Sequence, residues 1–216
     1  MELRCEPPWL VAELGAPHDV ASWAIVGGGL ERAERVAWLQ VRDAELGPDL
    51  DPVRFLEERM SRCGLDHAVC LLTSSGLIHH QHTLREIGGM SAEAVATVGL
   101  SNRLAVGDPP NPGIVGTINL LVVVNCPLSP SAMLEAMSIA VEARTAAVMS
   151  LQMRSSASSS VATGTGTDCV VIAAPLSSGQ VPANYAGKHT ALGAVIGQAV
   201  LDAVTAGGRT WMERNV

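Results

Sequence analysis

The run Ile118-Asn-Leu-Leu-Val-Val-Val124 constrains this chain more than any other stretch. It is apolar on both alternating faces, so Thr117 to Val124 reads as a strand covered on both sides and central in its sheet. The wider stretch Gly113 to Cys126 falls short of the roughly 20 apolar residues of a membrane span, and Asn119 and Asn125 interrupt it. Directly after it, Ser129-Pro-Ser131 opens a helix, with Ser129 as cap and Pro130 in the first turn. That helix runs to about Leu151. Met133, Met137, Ala140, Val141 and Val148 form its apolar stripe, and Ala143, Ala146 and Ala147 allow close packing on a sheet.

The flanking chain supplies more strands than helices. Leu10 to Leu14, Val20 to Val26 and Arg35 to Val41 read as strands, with Gly27-Gly-Gly29 breaking the second. Asp51-Pro52 starts a helix that buries Val53, Leu56 and Met60 and stops at Gly64. Ala68 to Thr73 reads as a buried strand, Leu77 to Thr83 as a flexible polar turn, and Ala94 to Leu100 as a strand ending in Ser101-Asn102. Prolines keep Gly107 to Gly113 irregular, and Ser155 to Ser160 reads as a mobile loop. Cys169 to Ala174 is a further strand. Lys188 to about Val204 is the last long helix, which Arg209 to Val216 extends or docks beside. Strands first and mixed strand-helix units later predict an α+β fold: one domain over 1–216, with a mixed or largely antiparallel sheet covered by helices.

Composition narrows the function. Hydrophobic residues make up 48% of the chain and aromatic residues only 3%, so the core rests on aliphatic side chains and methionine. The net charge is −7 and Lys188 is the sole lysine, which argues against a nucleic-acid partner. The five cysteines are odd in number and lack C-x-x-C spacing, so they predict reduced thiols and a cytoplasmic protein. The N-terminus has no basic start followed by an apolar run, so neither a signal peptide nor a membrane partner is expected. Monomer and homodimer fit the composition equally.

Four groups of residues carry possible chemistry. Thr163-Gly-Thr-Gly-Thr-Asp168 offers glycines for close backbone approach, three hydroxyls and one carboxylate. No Gly-Lys-Ser/Thr follows, so it is not a P-loop, and a tight connection into the next strand is the bland alternative. Glu142 and Arg144 stand two apart on the long helix and face different ways; solvated charges are the simplest reading. Lys188-His189 opens the last helix after Asn184-Tyr-Ala-Gly187 and offers a cation and an acid-base group. His79, His80 and His82 have the composition of a site for a metal or a cobalt-containing ligand, but a polar turn explains them as well. Gly28 serves a ligand contact or a turn. Ser101, Asn102 and Asn119 stand at the ends of apolar runs, where polar side chains line sites or cap turns.

Five segments in order carry a resemblance: Thr97-Val-Gly-Leu-Ser-Asn102, Gly116-Thr-Ile-Asn119, Val141-Glu-Ala-Arg-Thr-Ala-Ala147, Ala162-Thr-Gly-Thr-Gly-Thr-Asp168 and Tyr185-Ala-Gly-Lys-His189. Together with Ser22 to Gly29, they resemble the adenosylcobinamide amidohydrolase family (CbiZ) over roughly residues 20–200. Two features depart from it: Arg144 stands where a lysine is expected, and Leu72-Thr-Ser-Ser75 where small apolar residues are. The resemblance implies hydrolysis of the amide joining aminopropanol to the corrin ring of adenosylcobinamide, giving adenosylcobyric acid for coenzyme B12 salvage. It implies no cofactor. A corrinoid-binding protein without hydrolysis, and an amidohydrolase for another large amide, stay open.

Amide hydrolysis needs a nucleophile, a stabilised oxyanion and a proton for the leaving amine. The expectation is attack by water with Asp168 or Glu142 as base. The amides of Gly164 and Gly166, with Lys188, steady the oxyanion, and His189 protonates the amine. Thr163, Thr165, Thr167, Ser101, Asn102, Asn119, Arg144 and Gly28 complete the expected substrate contacts. The rival expectation makes one of the three threonines the nucleophile. No metal is assigned, since the histidine cluster is its only support.

Overall fold

The computed structural model describes residues 1–42, 45–47, 50–110 and 116–215. Its strands are β1 (Glu2–Glu6), β2 (Trp9–Ser22), β3 (Gly29–Gln40), β4 (Val69–Thr73), β5 (Gln81–Ile87), β6 (Met90–Val98), β7 (Arg103–Leu104), β8 (Ile118–Val124), β9 (Gly164–Thr165) and β10 (Cys169–Pro175). Its helices are α1 (Pro52–Ser61), α2 (Pro130–Ser150) and α3 (Ala191–Asn215). Eight strands form one sheet in the order β4-β3-β2-β10-β8-β6-β5, with β1 also on β2, while β7 and β9 make a separate ribbon. The β8–β10 and β3–β4 pairs are parallel and the others antiparallel, so the sheet is mixed and the fold α+β, as expected. β8 lies between β10 and β6, in the central position its apolar run predicts.

The sheet curls on itself. β4 and β8 stand far apart in its order, yet the Asn119 Nδ2 on β8 donates to the Leu72 carbonyl on β4 at 2.7 Å. The inner face packs Leu10, Leu14, Val36, Trp38 and Leu71 against Val95, Leu121 and Val171. On the outer face α2 and α3 cover β5, β6, β8 and β10, while α1 covers β3 and β4. α3 is long and apolar enough by composition to cross a membrane; here its apolar side chains are packed on β5, β6 and α2.

The caps explain the two best-read helices. Asp51 accepts from the amides of Val53 and Arg54, and Ser129 accepts from the amide of Ala132. Four expectations need correction. The two strands expected over 10–14 and 20–26 are one strand, β2, carried through an irregularity between Glu13 and His18 where Gly15 takes φ +82°; Val26 instead bridges Cys70. The polar turn at Leu77 to Thr83 is a short 3-10 turn, Leu77–His79, followed by the edge strand β5. The last helix begins at Ala191, with Thr190 Oγ1 accepting from the Gly193 amide, and it runs through Gly207 and Gly208 to Asn215. Those glycines are packing devices: a Cβ on Gly207 would sit 2.6 Å from Val98 Cγ2. Val53 is an exposed residue of α1. Residues 111–113 of the proline-rich stretch lie outside the described residues.

Candidate active site

The loop 163–168 is built around one carboxylate. Asp168 stands just before β10, where Oδ1 accepts from the Ile118 amide at 3.0 Å and Oδ2 from the Thr165 amide at 3.0 Å. The Thr165 hydroxyl also donates to Oδ1, and the Arg144 guanidinium on α2 pairs with Oδ2. The Arg144 and Asp168 side chains are only 12% and 7% exposed, so the pair is shielded from solvent. Burial lowers the pKa of Arg144 from its ordinary value. Its Nε is buried without a partner.

This arrangement explains the glycines. A Cβ on Gly164 would overlap both Asp168 and Arg144. One on Gly166 would lie 2.6 Å from Asn102 Nδ2. Asn102 is itself buried; its carbonyl accepts from the Gly166 amide at 3.2 Å, and its Oδ1 has no partner. The threonine hydroxyls are engaged too. Thr163 accepts from the Val106 amide at 2.8 Å, and Thr167 donates to the Gly116 carbonyl at 3.1 Å.

The other face of this loop borders a cavity of about 410 Å³ at the end of the curled sheet. Asp168, Thr167, Thr117 and Asn119 line one side, and Leu71, Leu72, Thr73 and Ser74 another. Trp23 and Ile25 stand at the mouth. A mainly apolar hollow with a few converging polar groups is the usual form of a small-molecule site. The polar groups are held in place. Thr117 Oγ1 lies 2.8 Å from the Thr167 carbonyl and 3.2 Å from Asn119 Oδ1, and Trp23 Nε1 donates to the Asp168 carbonyl at 2.6 Å. Cys169 also lines the cavity, but burial pushes its thiol up to about 12, which leaves it protonated and a poor nucleophile.

The structure therefore gathers Asp168, Arg144, Asn102, Asn119 and the three threonines with Gly164 and Gly166. The remaining candidates lie apart. Glu142 and Lys188 pair with each other on an exposed groove between α2 and α3. His189, next to Lys188 in sequence, is exposed. Ser101 borders a second, polar cavity with His79 and Arg214. Gly28 packs on the Ala24 carbonyl, where a Cβ would overlap it, so it shapes the turn between β2 and β3. His79, His80 and His82 diverge: His80 Nδ1 lies 2.8 Å from the Leu77 carbonyl and His82 Nε2 lies 2.9 Å from Glu93. Among the described residues no group of three His, Cys, Asp or Glu side chains is placed to hold a metal.

The serine loop is not free. Ser155 donates to Asp108, and the Ser155 amide donates to the Ser160 carbonyl at 2.9 Å. Sequence reasoning missed Trp23, Thr73, Ser74 and Thr117. Each sits in or beside a strand, and only the curl of the sheet makes them neighbours.

A family model described as CbiZ, adenosylcobinamide amidohydrolase, matches residues 1–216. A Halobacterium salinarum protein named adenosylcobinamide amidohydrolase is 30% identical over 209 residues, covering 91% of this chain and 83% of the relative. A Methanocaldococcus jannaschii protein, MJ1613, described as uncharacterized, is 38% identical over 87 residues, covering 40% of this chain and 33% of the relative's own length. Among solved structures, the PH0078 protein from Pyrococcus horikoshii aligns at TM-score 0.44 and 9% identity, covering 95% of this chain and 77% of that one.

Proposed function

The chain belongs to the adenosylcobinamide amidohydrolase family, and from that premise we propose that it cleaves the amide joining aminopropanol to the corrin ring of adenosylcobinamide. The products are adenosylcobyric acid and free aminopropanol. The observation that supports this reading is the cavity bordered by Trp23, Asn119, Thr167 and Asp168. Its volume of about 410 Å³ suits one side arm of a macrocycle, with the ring itself resting outside at the mouth.

In the proposed reaction water adds to the amide carbon, the C–N bond breaks, and the leaving amine takes up a proton. Thr73 and Ser74 offer hydroxyls to the amide and its tetrahedral intermediate, while Thr117 and Thr167, whose hydroxyls donate to the Thr167 and Gly116 carbonyls, shape the wall beside it. Asp168 is the carboxylate that borders this space. Its oxygens are occupied by two backbone amides, a guanidinium and a hydroxyl. Three of those donors are fixed; the Thr165 hydroxyl can turn about a single bond. We therefore propose that Asp168 anchors the loop and takes up a proton only when Thr165 swings away. Five free cysteines fit a reducing compartment, and we place the enzyme in the cytoplasm.

The test is to incubate the protein with adenosylcobinamide and measure released aminopropanol and adenosylcobyric acid by mass spectrometry. Stoichiometric appearance of both is the expected result. Binding of adenosylcobinamide without release would make this a corrinoid-binding protein. Equal cleavage of simple aliphatic amides would make it an amidohydrolase of another range.

A further inference from the structure

The chain has six aromatic residues (four Trp, one Tyr and one Phe), and one of them stands at the mouth of the cavity. Trp23 is 48% exposed, although large apolar rings are usually taken into a core. Its ring is nonetheless fixed. The indole N–H donates to the Asp168 carbonyl at 2.6 Å, and Asp168 is in turn held by Arg144, Ile118 and Thr165. The backbone beneath it is fixed as well. Ser22 Oγ accepts from the Ala24 amide at 3.3 Å, Val26 bridges Cys70, and Gly27 and Gly28 press against Val69 and Ala24. Ile25, two residues on, is 38% exposed and lines the same mouth.

We propose that Trp23, with Ile25 beside it, is the platform against which the flat face of the macrocycle rests, and so the residue that selects a macrocyclic amide over a small one. A rigid exposed indole offers a large apolar face with little side-chain entropy left to lose on binding. Its polar edge is already satisfied by Asp168, so the face is free for a ligand. The same clamp sets the ring beside Thr167 and Asp168, which fixes the distance between the bound ring and the amide inside the cavity. Trp23 acts by binding and positioning; it takes no proton in the reaction. This assignment rests on the reading of the substrate as a corrinoid.

The test compares the wild-type chain with Trp23→Phe and Trp23→Ala in hydrolysis of adenosylcobinamide, with the Kd for cobinamide measured by isothermal titration calorimetry and the quenching of tryptophan fluorescence recorded beside it. Trp23→Ala is expected to raise KM and the cobinamide Kd about tenfold, with kcat lowered far less. Trp23→Phe keeps the face and is expected to recover most of the affinity, and it should also lose much of the fluorescence quenching that bound cobinamide causes. Circular dichroism checks that both variants are folded. An unchanged KM and Kd in folded Trp23→Ala would overturn the platform. So would a loss confined to kcat. Wild-type chain that binds cobinamide but releases no aminopropanol would overturn the proposed reaction, while the Kd comparison would still decide for or against Trp23. Wild-type chain that neither binds nor cleaves would overturn both.

Discussion

Arg144 on α2 and Asp168 at the head of β10 form a buried ion pair that joins the helical layer to the loop beside the cavity. Removing one partner leaves the other charged and shielded from water. Asp168→Asn and Arg144→Leu should each destabilise the fold by about 3–5 kcal/mol, and the double variant by less than their sum. Urea unfolding midpoints check this. Arg144→Lys keeps the charge but loses the planar fork, so it should fall between wild type and Arg144→Leu.

Gly164 and Gly166 are needed for space. Alanine at Gly164 would meet the ion pair, and alanine at Gly166 would meet Asn102. Each substitution should cost about 1–3 kcal/mol through forced displacement of those groups. It should also lower turnover, because the loop carries Thr167 and Asp168 into the cavity wall. Thermal unfolding and aminopropanol release, measured on the same preparations, check both effects. A Gly164→Ala variant as stable and active as wild type would show that the loop gives way at no cost.

Glu142 and Lys188 behave differently. Their side chains are 55% and 66% exposed, so the pair is screened by solvent. Lys188→Met should change stability by less than about 1 kcal/mol. Its effect on turnover is the sharper measurement. A loss of a hundredfold or more would bring the groove between α2 and α3 into the reaction; a small change leaves the chemistry at the cavity.

The buried thiol of Cys169 links stability to alkaline pH. Its folded value is raised to about 12, whereas an unfolded thiol titrates near 8.5. Between these values the folded chain keeps a proton that the unfolded chain releases. This contribution is fully present below about pH 8.5 and is lost as pH rises towards 12. Within that window Cys169 alone should lower stability by up to about 1.4 kcal/mol per pH unit. Urea midpoints at several alkaline pH values check the slope, and Cys169→Ala should make it shallower. Iodoacetamide should label the exposed Cys63 in native protein well before Cys169 or Cys70.

The readable parts of this fold were those where local chemistry decides. Ser129-Pro130 and Asp51-Pro52 mark their helices by capping and ring geometry, and the apolar run at 118–124 marks a strand covered on both faces. Thr163 to Asp168 was legible as a loop beside a site, since paired glycines and hydroxyls announce close packing before they announce a ligand. β5 was not legible: Gln81, His82 and Thr83 look like a turn, and they are a strand because β6 pairs with them at the sheet edge. The end of α3 was obscured because Gly207 and Gly208 resemble a stop until Val98 and Leu151 are seen against them. Trp23, Thr73 and Thr117 lay inside segments that carry the family resemblance or depart from it, but nothing local marked them as neighbours in one wall. What unites them is the curl of the sheet, a long-range property.

The bond from Asn119 to the Leu72 carbonyl therefore does more than tie two strands. The walls it joins come from opposite halves of the chain, so neither half contains a binding site alone. The hollow exists only where those distant strands have met, and bringing them together carries the loop-closure cost of long-range contacts. A molecule that fits it recognises the finished chain and no earlier form, and by mass action it favours that form. Occupancy would thus serve as a gauge of complete folding as well as the start of catalysis.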